Sequence, residues 1–239
     1  MKLDNFKAVT FDVYGTLVNW EPVIGGFLAE WAADNGVQAT EDDLIQAYDD
    51  ARAHYQTLRP AMPYPKVMKS SFAYICDRWQ IPVDTARQDA FAASIKDWLP
   101  FPDTVGALRE LSEHMKLGAL SNIDERSFQW TLEKLEVPFD FTVTAERVGS
   151  YKPAFPHFVT AAFELGERSL VPAQWLHVCQ SLRADVRPAN DLGISCAWIN
   201  RTSGSLGLTG HGAEAAVPDM TYATLAELVD AFRDQSLGN

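Results

Sequence analysis

Short apolar, β-branched runs alternate along this chain with stretches of helical period. Phe6 to Phe11 is such a run, and it ends in Asp12, Tyr14, Gly15 and Thr16, the pattern of a buried strand entering a tight polar turn. Similar runs at Leu117 to Leu120, Phe139 to Val143, Trp175 to Cys179 and Ile194 to Ile199 bring the strand candidates to five. Helical spacing recurs at Asp103 to His114, Glu125 to Leu135 and His157 to Leu165, and Ala223 to Phe232 reads as a closing amphipathic helix. Strands alternating with helices of this length predict an α/β fold on a mostly parallel sheet with right-handed crossovers.

Trp20 to Leu99 breaks the rhythm. It carries apolar residues at helical spacing, as in Phe27, Leu28, Trp31 and Ala32, but no strand pattern; Pro60, Pro63 and Pro65 punctuate it, and Pro100 and Pro102 mark the return to the sheet. The chain thus divides into a core of residues 1–18 and 100–239 and a helical insertion of residues 19–99. Placed over a crevice, the insertion would exclude water from a bound substrate. The Gly-rich stretch Thr202 to Gly212 reads as a surface loop.

At 239 residues, 47% hydrophobic and 22% charged, the chain can bury a full core. No apolar run reaches the roughly 18 residues of a membrane span, and Met1 to Asp4 lead into a strand rather than an apolar leader, so a cytoplasmic protein without a membrane partner is expected. A formal charge of -12 repels phosphate backbones and argues against a nucleic-acid partner. In so acidic a protein, a small anion must be bound by locally concentrated donors, which draws notice to any isolated Lys or Arg near a loop. Cys76, Cys179 and Cys196 lie among apolar neighbours and read as reduced core residues, and the five histidines lack metal-ligand spacing.

Ligands of such sheets bind beyond the carboxyl ends of the strands, where Asp12, Ser121, Asn122, Gln180 and Ser181 all fall. Taken alone, Asp12 fits a turn-capping carboxylate as well as a nucleophile. Together with Ser121-Asn122, Lys152 in Tyr-Lys-Pro and Asp185, it supplies the parts of carboxylate nucleophilic catalysis.

These segments, FDVYGTL (Phe11 to Leu17), SN (Ser121, Asn122), YKP (Tyr151 to Pro153) and QSLRAD (Gln180 to Asp185), resemble the four motifs of the haloacid dehalogenase superfamily over essentially the whole chain. The resemblance implies a Rossmann-like core, a helical cap inserted after the first motif, and Asp12 as nucleophile. Phosphatases of that superfamily carry a second Asp two residues after the nucleophile, to protonate a departing alkoxide, and an acidic residue opening the fourth motif, to help bind Mg²⁺. Tyr14 and Gln180 stand at those positions here.

The chain therefore looks more similar to the (S)-2-haloacid dehalogenase branch. That implies a hydrolase converting short 2-haloalkanoic acids to 2-hydroxy acids through an Asp12 ester, with neither metal nor cofactor; a Mg²⁺-dependent phosphatase acting on a small phosphate monoester is the alternative. The resemblance further implies that Lys152 keeps Asp12 and Asp185 ionised, that Asp185 handles the hydrolytic water, and that Thr16 and Ser181 support them. Ser121 and the N–H groups of Val13 and Tyr14 would hold the substrate carboxylate, and Asn122 would donate toward the halide. Homodimers are usual in that family.

Some positions depart from the pattern. The cap arginine of known dehalogenases has no clean match: Asp49 aligns with it, and Arg52, one turn further on, is a candidate substitute but reads chiefly as a solvated helix-face residue. Gln180 and Leu182 replace polar residues near the water, and Phe158 replaces a Tyr. Trp20 and Tyr64 are pocket candidates at the cap edges; the other cap aromatics read as packing.

Overall fold

A computed structural model describes residues 3–58, 61–201 and 215–237. The chain runs through β1 (Ala8–Phe11), β2 (Val18–Asn19), α1 (Glu21–Asp34), α2 (Glu41–Thr57), α3 (Tyr64–Arg78), α4 (Thr85–Ala93), β3 (Leu99–Pro100), α5 (Thr104–His114), β4 (Lys116–Ser121) and α6 (Glu125–Leu135). It continues through β5 (Phe141–Thr144), α7 (Ala145–Val148), α8 (Pro156–Gly166), β6 (Trp175–Cys179), α9 (Arg187–Leu192), β7 (Ser195–Ile199), β8 (Met220–Tyr222) and α10 (Leu225–Leu237).

Six strands form one parallel sheet in the order β5-β4-β1-β6-β7-β8, so the fold is α/β as the alternation predicts. Phe11 pairs with Ala119 on one side and Val178 on the other. Every residue of β1 and β6 is buried, which is why both read as unbroken apolar runs rather than alternating ones. The chain fills the sheet on one side of β1, then returns to fill the other, and the reversal opens a crevice at the carboxyl end of β1.

The sequence reading missed one strand of this sheet. β8 is three residues long and only partly buried, so it lacks the apolar density that marks the others. It also placed no strand near the insertion, whereas β2 and β3 pair antiparallel there, Val18 with Pro100 and Asn19 with Leu99. The boundaries expected at 18/19 and 99/100 fall within this pair. The Gly-rich segment lies outside the described residues.

Between β2 and β3 the four helices α1–α4 pack around aromatic side chains, with Phe27 5.1 Å from Phe91 and 6.0 Å from Phe72 between ring centres. Thr40 starts α2 with a capping box, accepting from the Asp43 amide at 3.2 Å while its own amide donates to Asp43 at 2.9 Å. Their apolar faces join one core with α5, α6 and α10; a second, smaller core lies around α8 and α9. The three cysteines are buried and free. No helix among the described residues is long and apolar enough to cross a membrane.

Candidate active site

The turn after β1 is fixed from several directions. The Asp12 amide donates to Val178 at 2.9 Å, extending the β1–β6 ladder by one residue. Leu17 and Val18 then donate to the Val13 carbonyl at 2.8 and 2.9 Å, and Gly15 donates to Val18 at 2.8 Å. Gly15 sits at φ +96°, which a side chain would strain, and a Cβ there would come 3.2 Å from Gln180 Oε1. Thr16 completes the turn: its hydroxyl accepts from the Gln180 amide and donates to Asp12 Oδ2, both at 2.8 Å. Arg201 donates to the Thr16 carbonyl at 2.8 Å, lies 4.0 Å over the Phe101 ring and pairs with Asp103 at 3.0 Å.

Lys152 is buried across this turn. Its ammonium donates to Asp12 Oδ1 at 2.8 Å, Asp185 Oδ1 at 2.5 Å and the Leu120 carbonyl at 2.8 Å, which uses all three protons. Asn122 clamps the lysine's backbone, accepting from the Lys152 amide at 2.7 Å and donating to its carbonyl at 3.2 Å. Asp185 rides on a π-helical turn, Leu182–Val186, whose start is capped by Ser181 accepting from the Ala184 amide at 3.0 Å.

Beneath Asp185 lies a chain of polar groups inside the sheet. Trp175 Nε1 donates to Thr10 Oγ1 at 2.7 Å, Thr10 Oγ1 meets His177 Nδ1 at 2.8 Å, and His177 Nε2 reaches Asp185 Oδ1 at 3.1 Å, where an ionised carboxylate can only accept. His157 Nε2 meets the Ser121 carbonyl at 3.1 Å. Phe158 packs edge-on against His177 at 5.2 Å, beneath the site rather than as a wall of it.

Burial is the largest influence on all these charges. It pushes Asp12 above the usual carboxylate value, with Lys152 pulling against it and Asp185 adding to it. Asp185 is equally buried, yet it falls below its ordinary value because Lys152 and His177 both favour its anion. The two carboxylates in turn hold Lys152 above its usual value against burial. Burial, and then the charge of Lys152, push His157 down to about 3, so it is neutral near pH 7.

A cavity of about 60 Å³ opens beside Asp12, bounded by Tyr14, Trp20, Tyr64 and Arg52. Both pocket candidates from the cap edges therefore reach it. The Tyr14 hydroxyl bonds Thr131 Oγ1 at 2.8 Å, and its ring meets Trp98 edge-on at 5.2 Å. Among the described residues, Ser121 Oγ is buried without a hydrogen-bond partner, and the Val13 and Tyr14 amides take no part in the bonds of the turn.

Arg52 corrects the sequence expectation. It is only about a quarter exposed, points into the cavity beside Trp20 and Tyr48 at 5.6 and 5.9 Å, and is ion-paired with Asp49. A helix-face position becomes a site position because α1 and α2 pack together over the end of β1, which no local pattern reveals. Glu21 and Arg183 also line the cavity and were not singled out; the one available signal for Arg183 was a cation two residues before Asp185.

The family model of the haloacid dehalogenase-like hydrolases matches residues 6–193. This chain belongs to that family and is a hydrolase. Among similar proteins in it, the haloacetate dehalogenase H-2 of Moraxella sp. (strain B) is 24% identical over 226 residues, covering 91% of this chain and 96% of that protein. The (S)-2-haloacid dehalogenase of Pseudomonas sp. (strain YL) is 23% identical over 238 residues, 96% of each. The L-2-haloacid dehalogenase of Xanthobacter autotrophicus, solved with chloropropionic acid covalently bound, superimposes with a TM-score of 0.77 at 22% identity, over 95% of this chain and 98% of that one, which establishes the shared fold.

Proposed function

We propose that this hydrolase cleaves the carbon–halogen bond of short 2-haloalkanoic acids, giving 2-hydroxy acids without a metal, with α1–α4 acting as the cap that closes over the substrate. An Asp12 carboxylate oxygen attacks the carbon bearing the halogen; the C–O bond forms as the carbon–halogen bond breaks, and the electron pair leaves on the halide. Water then attacks the Asp12 carbonyl carbon of the resulting ester, passing a proton to Asp185. The bond from that carbon to the oxygen carried by the product breaks, and this oxygen takes the proton back from Asp185 to become the product hydroxyl. Asp12 gives its remaining proton to solvent as its carboxylate is restored. Lys152 lies against Asp12 Oδ1, where it favours the ionised nucleophile and offsets charge developing on the ester oxygen. The buried, unpartnered hydroxyl of Ser121, with the Val13 and Tyr14 amides, suits the substrate carboxylate, and Arg52 suits the halide.

The observation that carries this reading is the state of Tyr14. A phosphate ester needs a proton donor for its leaving alkoxide, and the group two residues after Asp12 is a phenol engaged with Thr131. Burial raises its pKa well above the ordinary value, which makes it a poor acid. A halide departs as a stable anion and needs no such donor. Three free, buried cysteines suit a reducing, cytoplasmic setting. Halide release from chloroacetate and 2-chloropropionate in excess EDTA, beside p-nitrophenyl phosphate with Mg²⁺, tests the reading: halide without phosphate is expected, and phosphate release that depends on Mg²⁺ would overturn it.

A further inference from the structure

Among the described residues, the cations around the cavity pair off with one exception. Lys152 lies between Asp12 and Asp185, and Arg52 is held by Asp49. Arg183 is half-buried, lines the same cavity, and has no carboxylate or carbonyl within bonding distance among the described residues. Burial and the nearby charge of Arg52 pull its pKa below the usual arginine value, and the more distant carboxylates of Asp49 and Asp185 offset this only in part. In a chain of net charge -12, carboxylates to pair it are not scarce.

Arg183 also stands at a junction. The space beside Asp12 shares Gln56, Lys152 and Arg183 with a groove of about 510 Å³ that runs between α2 and the Tyr151–Phe155 loop. A two- or three-carbon haloacid fills only the inner space. A longer substrate would carry its far end past Arg183 into this groove, where Ala53, Pro153 and Phe155 supply apolar contact.

We propose that Arg183 binds a second carboxylate of the substrate, so that the preferred haloacid is a 2-halodicarboxylic acid of four to six carbons. The proposal rests on the dehalogenase reading and names its substrate class. A guanidinium offers two parallel N–H donors to a carboxylate, a geometry that fixes orientation as well as charge. Because Ser181 caps the turn that bears both Arg183 and Asp185, a carboxylate gripped there is set in register with the group that handles the water.

Calorimetric binding of propionate, succinate, glutarate and adipate to the wild type, Arg183→Gln and Arg183→Lys tests the site without turnover. Halide release from 2-chloropropionate and 2-chlorosuccinate is measured alongside. At least one dicarboxylate is expected to bind about tenfold or more tightly than propionate, with the ratio falling toward one in Arg183→Gln and partly kept in Arg183→Lys; the kcat/KM ratio of the two haloacids follows through KM. Equal binding of mono- and dicarboxylates by the wild type, or a preference that survives Arg183→Gln, overturns the proposal. Dicarboxylate binding lost in Arg183→Gln, but with no halide released from any substrate, would uphold the Arg183 site and overturn the dehalogenase reading. Halide release from 2-chloropropionate without dicarboxylate preference would do the reverse.

Discussion

Lys152 Nζ lies 2.5 Å from Asp185 Oδ1 and with the same ammonium reaches Asp12 at 2.8 Å. One buried cation therefore serves two buried carboxylates, and removing it leaves Asp12 with Thr16 and Asp185 with His177 as their remaining side-chain partners. Lys152→Met is expected to lose about 3–5 kcal/mol of stability, the usual cost of stranding a buried charge. Halide release should fall by about a hundredfold or more. Thermal unfolding and steady-state kinetics check both; activity within a few-fold of wild type would mean that Asp12 does not depend on this ammonium.

Asp12→Asn removes the proposed nucleophile while keeping the side chain's shape, and halide release should vanish. A single turnover in ¹⁸O-labelled water with enzyme in excess distinguishes covalent from general-base chemistry. If water attacks the Asp12 carbonyl carbon, the label enters Asp12 and the first product carries none. Label in the first product would mean that water attacks the substrate directly.

Tyr14→Phe deletes a hydroxyl whose partner is Thr131, not the reacting centre. The expected cost is about 1 kcal/mol of stability for one hydrogen bond, with the rate of halide release within a few-fold of wild type. A collapse in activity at unchanged stability would make this phenol an acid in the reaction and reopen the question of what the leaving group needs.

Much of the sheet and the strand-end loops could be read in advance because both depend on neighbours in sequence. An apolar run makes a strand, and the polar residues that follow it are carried to the crevice whatever the rest of the chain does. β8 escaped because a short, partly buried edge strand needs few apolar residues. The near side of the cavity was legible as motifs, and of its roof Trp20 and Tyr64 were legible at the cap edges but Arg52 was not. Arg52 acquires its place only when α2 packs against Trp20, and a solvent-facing helix position has the same local sequence. His177 read only as a buried strand residue. Its contact with Asp185 spans from strand to following turn, and it becomes visible once the sheet register is known.

His157 supplies a pH dependence whose sign follows from its burial. Folded, its pKa is pushed down to about 3 from 6.5, so between these values the unfolded chain binds a proton that the folded one does not. Stability from this residue is fully present above about pH 6.5 and is lost as the pH falls toward 3, a difference of order several kcal/mol. His157→Gln keeps an N–H for the Ser121 carbonyl, met at 3.1 Å in the wild type, but carries no titrating group. Thermal midpoints measured from pH 7 to 4 should therefore fall less steeply for the variant than for wild type, whatever the variant's stability at neutral pH. Parallel slopes would mean that His157 gains its proton without unfolding the site, and that the strand end carrying Ser121 tolerates a second cation beside Lys152.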